Sequence, residues 1–400
     1  MDERSGAALT APLPGREVYG AGSGTRDVIG WDIGGAHVKA CLLQDGEVID
    51  VAQWACPLWQ GLAHLEAAFD AARSRWPSLH AAQHAVTMTG EMVDLFADRQ
   101  DGVCRIALDA RRALGRVAFY AGDAGWCGTA DVAGCWASIA SANWLATARH
   151  AALRMHETGH ETGQETGQSA GVLVDIGSTT TDLIAFRAGR VLAGGRSDAQ
   201  RLASGELVYH GVVRTPLCAL AQRIDWRGTP HHVMNEWFAT TADVYRATGE
   251  LDPAHDLQPS ADQAAKDLPA TYQRLSRMVG LDARDGSADD WRAFARDWRS
   301  AQVGVLGDAL RRVFETHALG PQAVVVSAGC GDFLVADVLA HAQDSALAAS
   351  AASTATQRRV LAYGNDVAQV AARAPATTAA WAQVCAPSVA VATLFDKDHR

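Results

Sequence analysis

The segments Ile29-Gly30-Trp31-Asp32-Ile33-Gly34-Gly35-Ala36-His37-Val38-Lys39 and Val172-Leu173-Val174-Asp175-Ile176-Gly177-Ser178-Thr179-Thr180-Thr181-Asp182 are two copies of one pattern. Each reads as a buried strand ending in Asp, a turn on Gly through small residues, and a second apolar run, Ala40 to Leu43 and Leu183 to Phe186. Glycine lets the backbone turn tightly and approach an anion, so that main-chain N–H groups can point at phosphate oxygens. The Asp at the strand end then stands where it can hold a hydrated divalent cation or orient a reacting oxygen. A repeated loop of this kind predicts two similar half-domains facing each other across a phosphate-binding cleft. The second copy adds Ser178, Thr179, Thr180 and Thr181, more hydroxyls than a plain turn uses. Neither copy carries G-x-G-x-x-G or G-x-x-x-x-G-K-S/T, which argues against a Rossmann or P-loop site.

A chain of 400 residues with 48% hydrophobic content is long enough for two to three domains. Its formal net charge of −10 gives no general attraction for nucleic acid or an anionic membrane, so any phosphate is held locally. The eight cysteines are scattered without a C-x-x-C pair, the pattern of buried reduced thiols in a cytoplasmic protein. Met1 to Arg26 lacks the sustained apolar core of a signal peptide, and no apolar stretch reaches 18 residues, so no membrane span is expected.

The pattern divides the chain into a disordered tail (1–26), a first lobe (27–154), a linker (155–169), a second lobe (170–360) with a helical insertion at about 220–320, and C-terminal helices (361–400) returning to the first lobe. The linker is the repeat His-Glu-Thr-Gly-His-Glu-Thr-Gly-Gln-Glu-Thr-Gly-Gln, with nothing apolar to bury. Helical spacing is read over Ala137 to His150 and over Asn235 to Thr248, the latter placing Glu236, Thr240 and Asp243 on one face. Glu91 follows the strand His84 to Met88, on the side of the sheet that carries the loops. Ala323 to Ala328 is an apolar strand running into a turn at Gly329-Cys330-Gly331.

With those three sites placed, the chain resembles the actin, heat-shock-chaperone and sugar-kinase superfamily, in which two D-x-G loops grip phosphate and a later glycine turn lies near the nucleoside. Within it, the stretches Thr89-Gly90-Glu91-Met92-Val93-Asp94, Ser141-Ala142-Asn143-Trp144, Gly205-Glu206-Leu207-Val208-Tyr209 and Val213-Arg214-Thr215-Pro216 are similar to the hydantoinase/oxoprolinase-related group tied to tetrahydromethanopterin-linked one-carbon metabolism. The combination resembles the methanofuran-biosynthesis condensing enzymes of that group. The third loop has Cys330 where a third Gly is usual.

That resemblance implies an α/β, duplicated actin-like ATPase (ribonuclease-H-like) fold. It also implies a transferase that joins an aminomethylfuran-methyl diphosphate to the phenol of a γ-glutamyl-tyramine-type or tyrosine-type acceptor, releasing diphosphate and forming an aryl ether. Stabilising the departing diphosphate calls for both loops, Mg²⁺ and a cation. The expected roles are Asp32 and Asp175 for the metal, Lys39 for the cation, and Gly34, Gly35, Gly177, Ser178, Thr179 and Thr180 for phosphate. Glu91 and Glu206 are the candidate bases for a phenol whose ordinary pKa is near 10. Asp182, Arg214, Asn143, Gly329 and Gly331 are the expected substrate contacts. Partners are the two small molecules, with no nucleic acid and no membrane; a homodimer and bound ATP stay open. The competing readings are an ATP-dependent hydantoinase/oxoprolinase-like hydrolase or kinase, and a nucleotide-gated activator, for which the cysteine pair of a shared cluster is missing.

Overall fold

The computed structural model describes residues 27–161, 169–348 and 358–400. Residues 1–26, expected as a disordered tail, and 162–168 of the expected linker lie outside the described residues. The strands are β1 (Asp27–Ile33), β2 (His37–Gln44), β3 (Glu47–Ala55), β4 (Gln83–Met88), β5 (Val117–Tyr120), β6 (Trp126–Gly128), β7 (Ala170–Ile176), β8 (Thr181–Arg187), β9 (Arg190–Val191), β10 (Leu207–Val208), β11 (Arg223–Trp226), β12 (Thr229–His232), β13 (Val324–Ala328) and β14 (Val360–Ala362).

The first sheet runs β3-β2-β1-β4-β5-β6 and the second β10-β8-β7-β13-β14, with β9 on β8 and β11–β12 a separate hairpin. In each, an antiparallel hairpin (β1–β2, β7–β8) is joined to parallel strands through its first member (β1–β4–β5, β7–β13–β14). The two sheets are therefore one topology used twice, the duplicated actin-like α/β fold. Parallel strands covered on both faces need near-continuous apolar runs, and Val28 to Ile33 are all buried.

The lobes share a core. One apolar cluster takes Val28, Cys41 and Ala85 from the first sheet and Leu173, Ile184 and Val326 from the second. Two helices, Asn143–Glu161 and Ala386–Asp398, fill the space between through Ala151, Ala152, Val389 and Ala390. The second of them lies so close to β1 that a Cβ on Gly30 would sit 2.1 Å from the Ser388 carbonyl oxygen, which explains a glycine inside a central strand.

Three local readings are corrected. The helix expected over 137–150 is two, Val132–Ile139 and Asn143–Glu161, broken where Ser141 takes φ 50° and turns its hydroxyl to Glu91. The second continues through Met155 to Glu161, into the expected linker. The helix expected over 235–248 is only Thr241–Thr248, so Glu236 shares no helical face with Asp243; Asp243 instead accepts from the Thr240 backbone N–H at 3.1 Å and closes the helix start. Between β14 and the helix Thr378–Val384 the chain makes a single wide turn, Tyr363–Val367.

Candidate active site

The duplicated hairpins end in equivalent turns. Gly34 N–H donates to His37 O at 2.9 Å and Gly177 N–H to Thr180 O at 2.8 Å. The loop carbonyls are tied back: Gly35 O accepts from Leu58 N–H (3.0 Å), Ala36 O from Cys56 N–H (2.8 Å), Gly177 O from Val212 N–H (3.0 Å) and Ser178 O from Arg214 N–H (2.8 Å). A trans peptide points its N–H opposite to its C=O. The amides of Ala36, Ser178 and Thr179 are thus aimed away from these tethers, and they donate to no described residue. That is the arrangement of an anion nest.

The glycines serve the turn by their small size rather than by a left-handed φ, which none of Gly34, Gly35 and Gly177 adopts. A Cβ on Gly34 would be 2.9 Å from His37 O, and one on Gly35 2.8 Å from Val93 Cγ1.

Both turns open into one cleft of about 600 Å³ between the lobes. Of the expected site residues, Asp32, Gly34, Gly35, Lys39, Asn143, Asp175, Gly177, Ser178, Thr179, Thr180, Asp182 and Arg214 line it. Strand register puts Asp32 opposite Lys39 and Asp175 opposite Asp182, so the position that is a cation in the first copy is a carboxylate in the second. Asp182 in turn holds Arg201, a buried cation stacked 4.3 Å over the Trp144 ring and paired with Asp198 at 2.8 Å. Each loop thereby has its own cation, one supplied directly and one through a carboxylate.

Burial drives the Asp32 carboxyl up to about 6, against the pull of Lys39 and with the help of Glu91. Burial also lifts Asp175 to about 7, reinforced by Asp182, opposed by Lys39 and assisted by Asp32. For Lys39 burial works against the charge, but Cys385, Asp32, Cys330 and Asp175 around it more than offset this and hold it above its ordinary value. Its Nζ donates to Val384 O at 3.0 Å. His37, on the same wall, is kept neutral: burial, with Lys39, Arg214 and His255 nearby, lowers it to about 3.

Four expected residues do not line the cleft. Glu91 lies behind the wall, its Oε1 accepting from Ser141 Oγ (2.8 Å) and Arg99 Nη2 (3.1 Å). Glu206 is clamped by the amides of Gly194 (2.8 Å) and Gly195 (3.3 Å) and by Ser204 Oγ (2.8 Å). Glu206 is a structural carboxylate, both of its oxygens being taken by backbone and side-chain donors, whereas Glu91 is bound through Oε1 alone and keeps a buried Oε2 without a partner, off the cleft wall. Gly329 and Gly331 pack under the second loop. Gly329 has φ +87°, and a Cβ there would lie 2.2 Å from Ile176 O, while Gly331 N–H donates to Ile176 O at 2.8 Å. The third loop supports the second rather than facing the ligand.

The rim was not foreseen from sequence. Trp59, Tyr209, Trp237 and Met92 stand exposed at the mouth, from segments that share no motif and meet only in the fold.

The donor set fits a hard divalent cation. Asp32 Oδ1 is buried without a hydrogen-bond partner, and Asp32, Asp94, Asp175, Asp182 and Asp198 outnumber the cleft's cations Lys39, Arg201 and Arg214. Among the described residues no group of three or more His, Cys, Asp or Glu is arranged as a metal cage. A magnesium site needs only one or two carboxylates, with phosphate oxygens and water completing the shell.

Residues 82–373 match the hydantoinase/oxoprolinase family model. Among curated proteins, a Methanocaldococcus jannaschii synthase is 26% identical over 313 residues, 78% of this chain and 88% of that protein. Its product is named as a furan-2-yl methanamine bearing a γ-L-glutamylaminoethyl-phenoxymethyl group. The synthase of the same name from Methanococcus vannielii is 29% identical over 170 residues, 42% of this chain and 75% of that protein. Among solved structures, nucleotide-free acetone carboxylase is similar with TM-score 0.47 and 11% identity over 78% of this chain and 66% of that one. A ROK family glucokinase from Streptomyces griseus gives TM-score 0.45 and 14% identity over 92% and 98%. The family match spans well over half the sequence: the chain belongs to the hydantoinase/oxoprolinase family.

Proposed function

We propose that this protein is a cytoplasmic transferase that condenses an aminomethylfuran-methyl diphosphate with the phenol of a γ-glutamyl-tyramine-type acceptor, in methanofuran biosynthesis. The observation that carries the reading is that both D-x-G loops and an aromatic rim line a single cleft, in a chain related over 78% of its length to a synthase of such a phenoxymethyl-furan. The eight cysteines are all unpaired, and among the described residues no single helix is long and apolar enough to cross a membrane.

In the reaction the phenol oxygen bonds to the furfuryl carbon as the carbon–oxygen bond to diphosphate breaks, and that electron pair leaves on the diphosphate. The free amides of Ala36, Ser178 and Thr179, the hydroxyls of Ser178 to Thr180, and Lys39 stabilise the growing negative charge. Mg²⁺, held by Asp32 and Asp175, supplies further charge neutralisation when bound. The phenolic proton passes to a carboxylate that faces the cleft and is not engaged with the metal, Asp94 or Asp182.

The ATP-dependent alternative draws less support. Its nucleoside would be expected by the third loop, where Gly329 N–H is taken by Gln383 O (2.9 Å) and Gln383 Nε2 donates to Ser327 O (2.9 Å) and Asp332 Oδ2 (3.1 Å), seating the helix Thr378–Val384 on that turn. The test is purified protein with the furfuryl diphosphate, γ-glutamyl-tyramine and Mg²⁺, followed by mass spectrometry. Ether and diphosphate in equal amounts support the reading; phosphate release from ATP without ether refutes it.

A further inference from the structure

The rim is built unlike the rest of the surface. Trp31, Trp144, Trp291 and Trp298 are fully buried, whereas Trp59, Tyr209 and Trp237 are 37%, 61% and 62% exposed, all on the cleft. Aromatic side chains left in water at a concave site are there for a ligand ring.

The two loops carry this rim. Leu58 N–H is bound to Gly35 O, so Trp59 follows directly on the anchor of the first loop; Arg214 N–H is bound to Ser178 O, so Arg214 is itself an anchor of the second. Their side chains meet across the cleft, the guanidinium 5.5 Å from the Trp59 ring centroid, with Tyr209 as the neighbouring ionisable group. The cleft's other arginine, Arg201, is held by Asp182 and Asp198. Arg214 has no carboxylate within 4 Å among the described residues. A guanidinium stacked on an indole keeps its in-plane N–H donors for a planar anion, which a carboxylate fills in bidentate fashion.

We propose that Arg214 on Trp59, flanked by Tyr209 and Trp237, is the subsite for the acceptor's far end: it takes an aryl amine extended by an anionic amino-acid group and grips the carboxylate while the phenol reaches the two loops. This rests on the ether-forming reading above. It makes the rim the place where a γ-glutamylated phenolic amine is told from the bare amine.

Calorimetric titration of γ-glutamyl-tyramine, tyramine and inorganic diphosphate with Mg²⁺ into wild type, Arg214→Gln and Trp59→Leu tests it without any need for turnover. Wild type should prefer the γ-glutamyl ligand by about tenfold or more, and Arg214→Gln should weaken that ligand by about 10- to 100-fold, the range of a lost charge-assisted hydrogen-bonded contact. Tyramine and diphosphate should bind Arg214→Gln within about twofold of wild type, which also reports an intact fold. Trp59→Leu should weaken both amines. An equal loss for tyramine, a loss that falls on diphosphate, or a wild type that binds neither amine overturns the assignment. A protein that binds γ-glutamyl-tyramine through Arg214 yet forms no ether would leave the subsite standing and remove the synthase reading.

Discussion

Asp175→Asn should make the free protein more stable at neutral pH while removing its activity. The Asp175 carboxyl sits at about 7 instead of 3.8, driven first by burial and then by Asp182, against Lys39. A raised native value means that the folded chain holds this proton more tightly than the unfolded one. The associated stability is therefore fully present below about pH 4 and is lost as pH rises through 7. At 1.36 kcal/mol per unit, a shift of roughly three units corresponds to about 4 kcal/mol of native-state penalty above pH 7. The attraction of Lys39 is already contained in that shift, so the net gain expected of the neutral amide is at most about 4 kcal/mol. Urea unfolding of both proteins without ligand, at pH 5, 6, 7 and 8, reads it: the gap in favour of the variant should open up to pH 7 and stay constant above. Ether formation should fall by orders of magnitude. A variant less stable than wild type at pH 8, or a gap that ignores pH, would refute the account of Asp175 as a carboxylate kept against its own solvation.

Two further outcomes follow from the packing. Gly329→Ala combines a left-handed φ with a Cβ 2.2 Å from Ile176 O. It should cost about 2–5 kcal/mol in urea unfolding and weaken diphosphate binding, because the second loop must shift. Glu206→Gln keeps one acceptor oxygen but sets an NH2 donor against one of the Gly194 and Gly195 amides, so unfolding should show about 1–3 kcal/mol of destabilisation. Its kcat should change by less than about tenfold, far short of the loss that removing a general base produces.

The duplicated loops were legible because a strand ending in D-x-G leaves a local signature, and equal register in both hairpins then places Asp32 and Asp175 on one cleft. What failed was what depends on tertiary partners. Glu91 and Glu206 each read in sequence as a carboxylate free to act as a base, and only the fold shows Glu206 clamped by the Gly194 and Gly195 amides and Glu91 held off the cleft by Ser141 and Arg99. Gly329 and Gly331 read as ligand contacts but are needed for the close approach of two backbones. The helix break at Ser141 was hidden by residues of good helical spacing, because the side-chain bond that rewards the break comes from fifty positions earlier. Trp59 and Trp237 lie in no motif, and Tyr209, although it ends the stretch Gly205 to Tyr209, has nothing in sequence that pairs it with them; the lobes bring the three together.

Titration of inorganic diphosphate with Mg²⁺ into wild type, Asp32→Asn and Asp175→Asn addresses the two-lobed grip most directly. One diphosphate per chain is predicted, with binding weakened in both variants, since each lobe supplies one half of the cradle. Undiminished binding in either variant, or two independent sites, would contradict it.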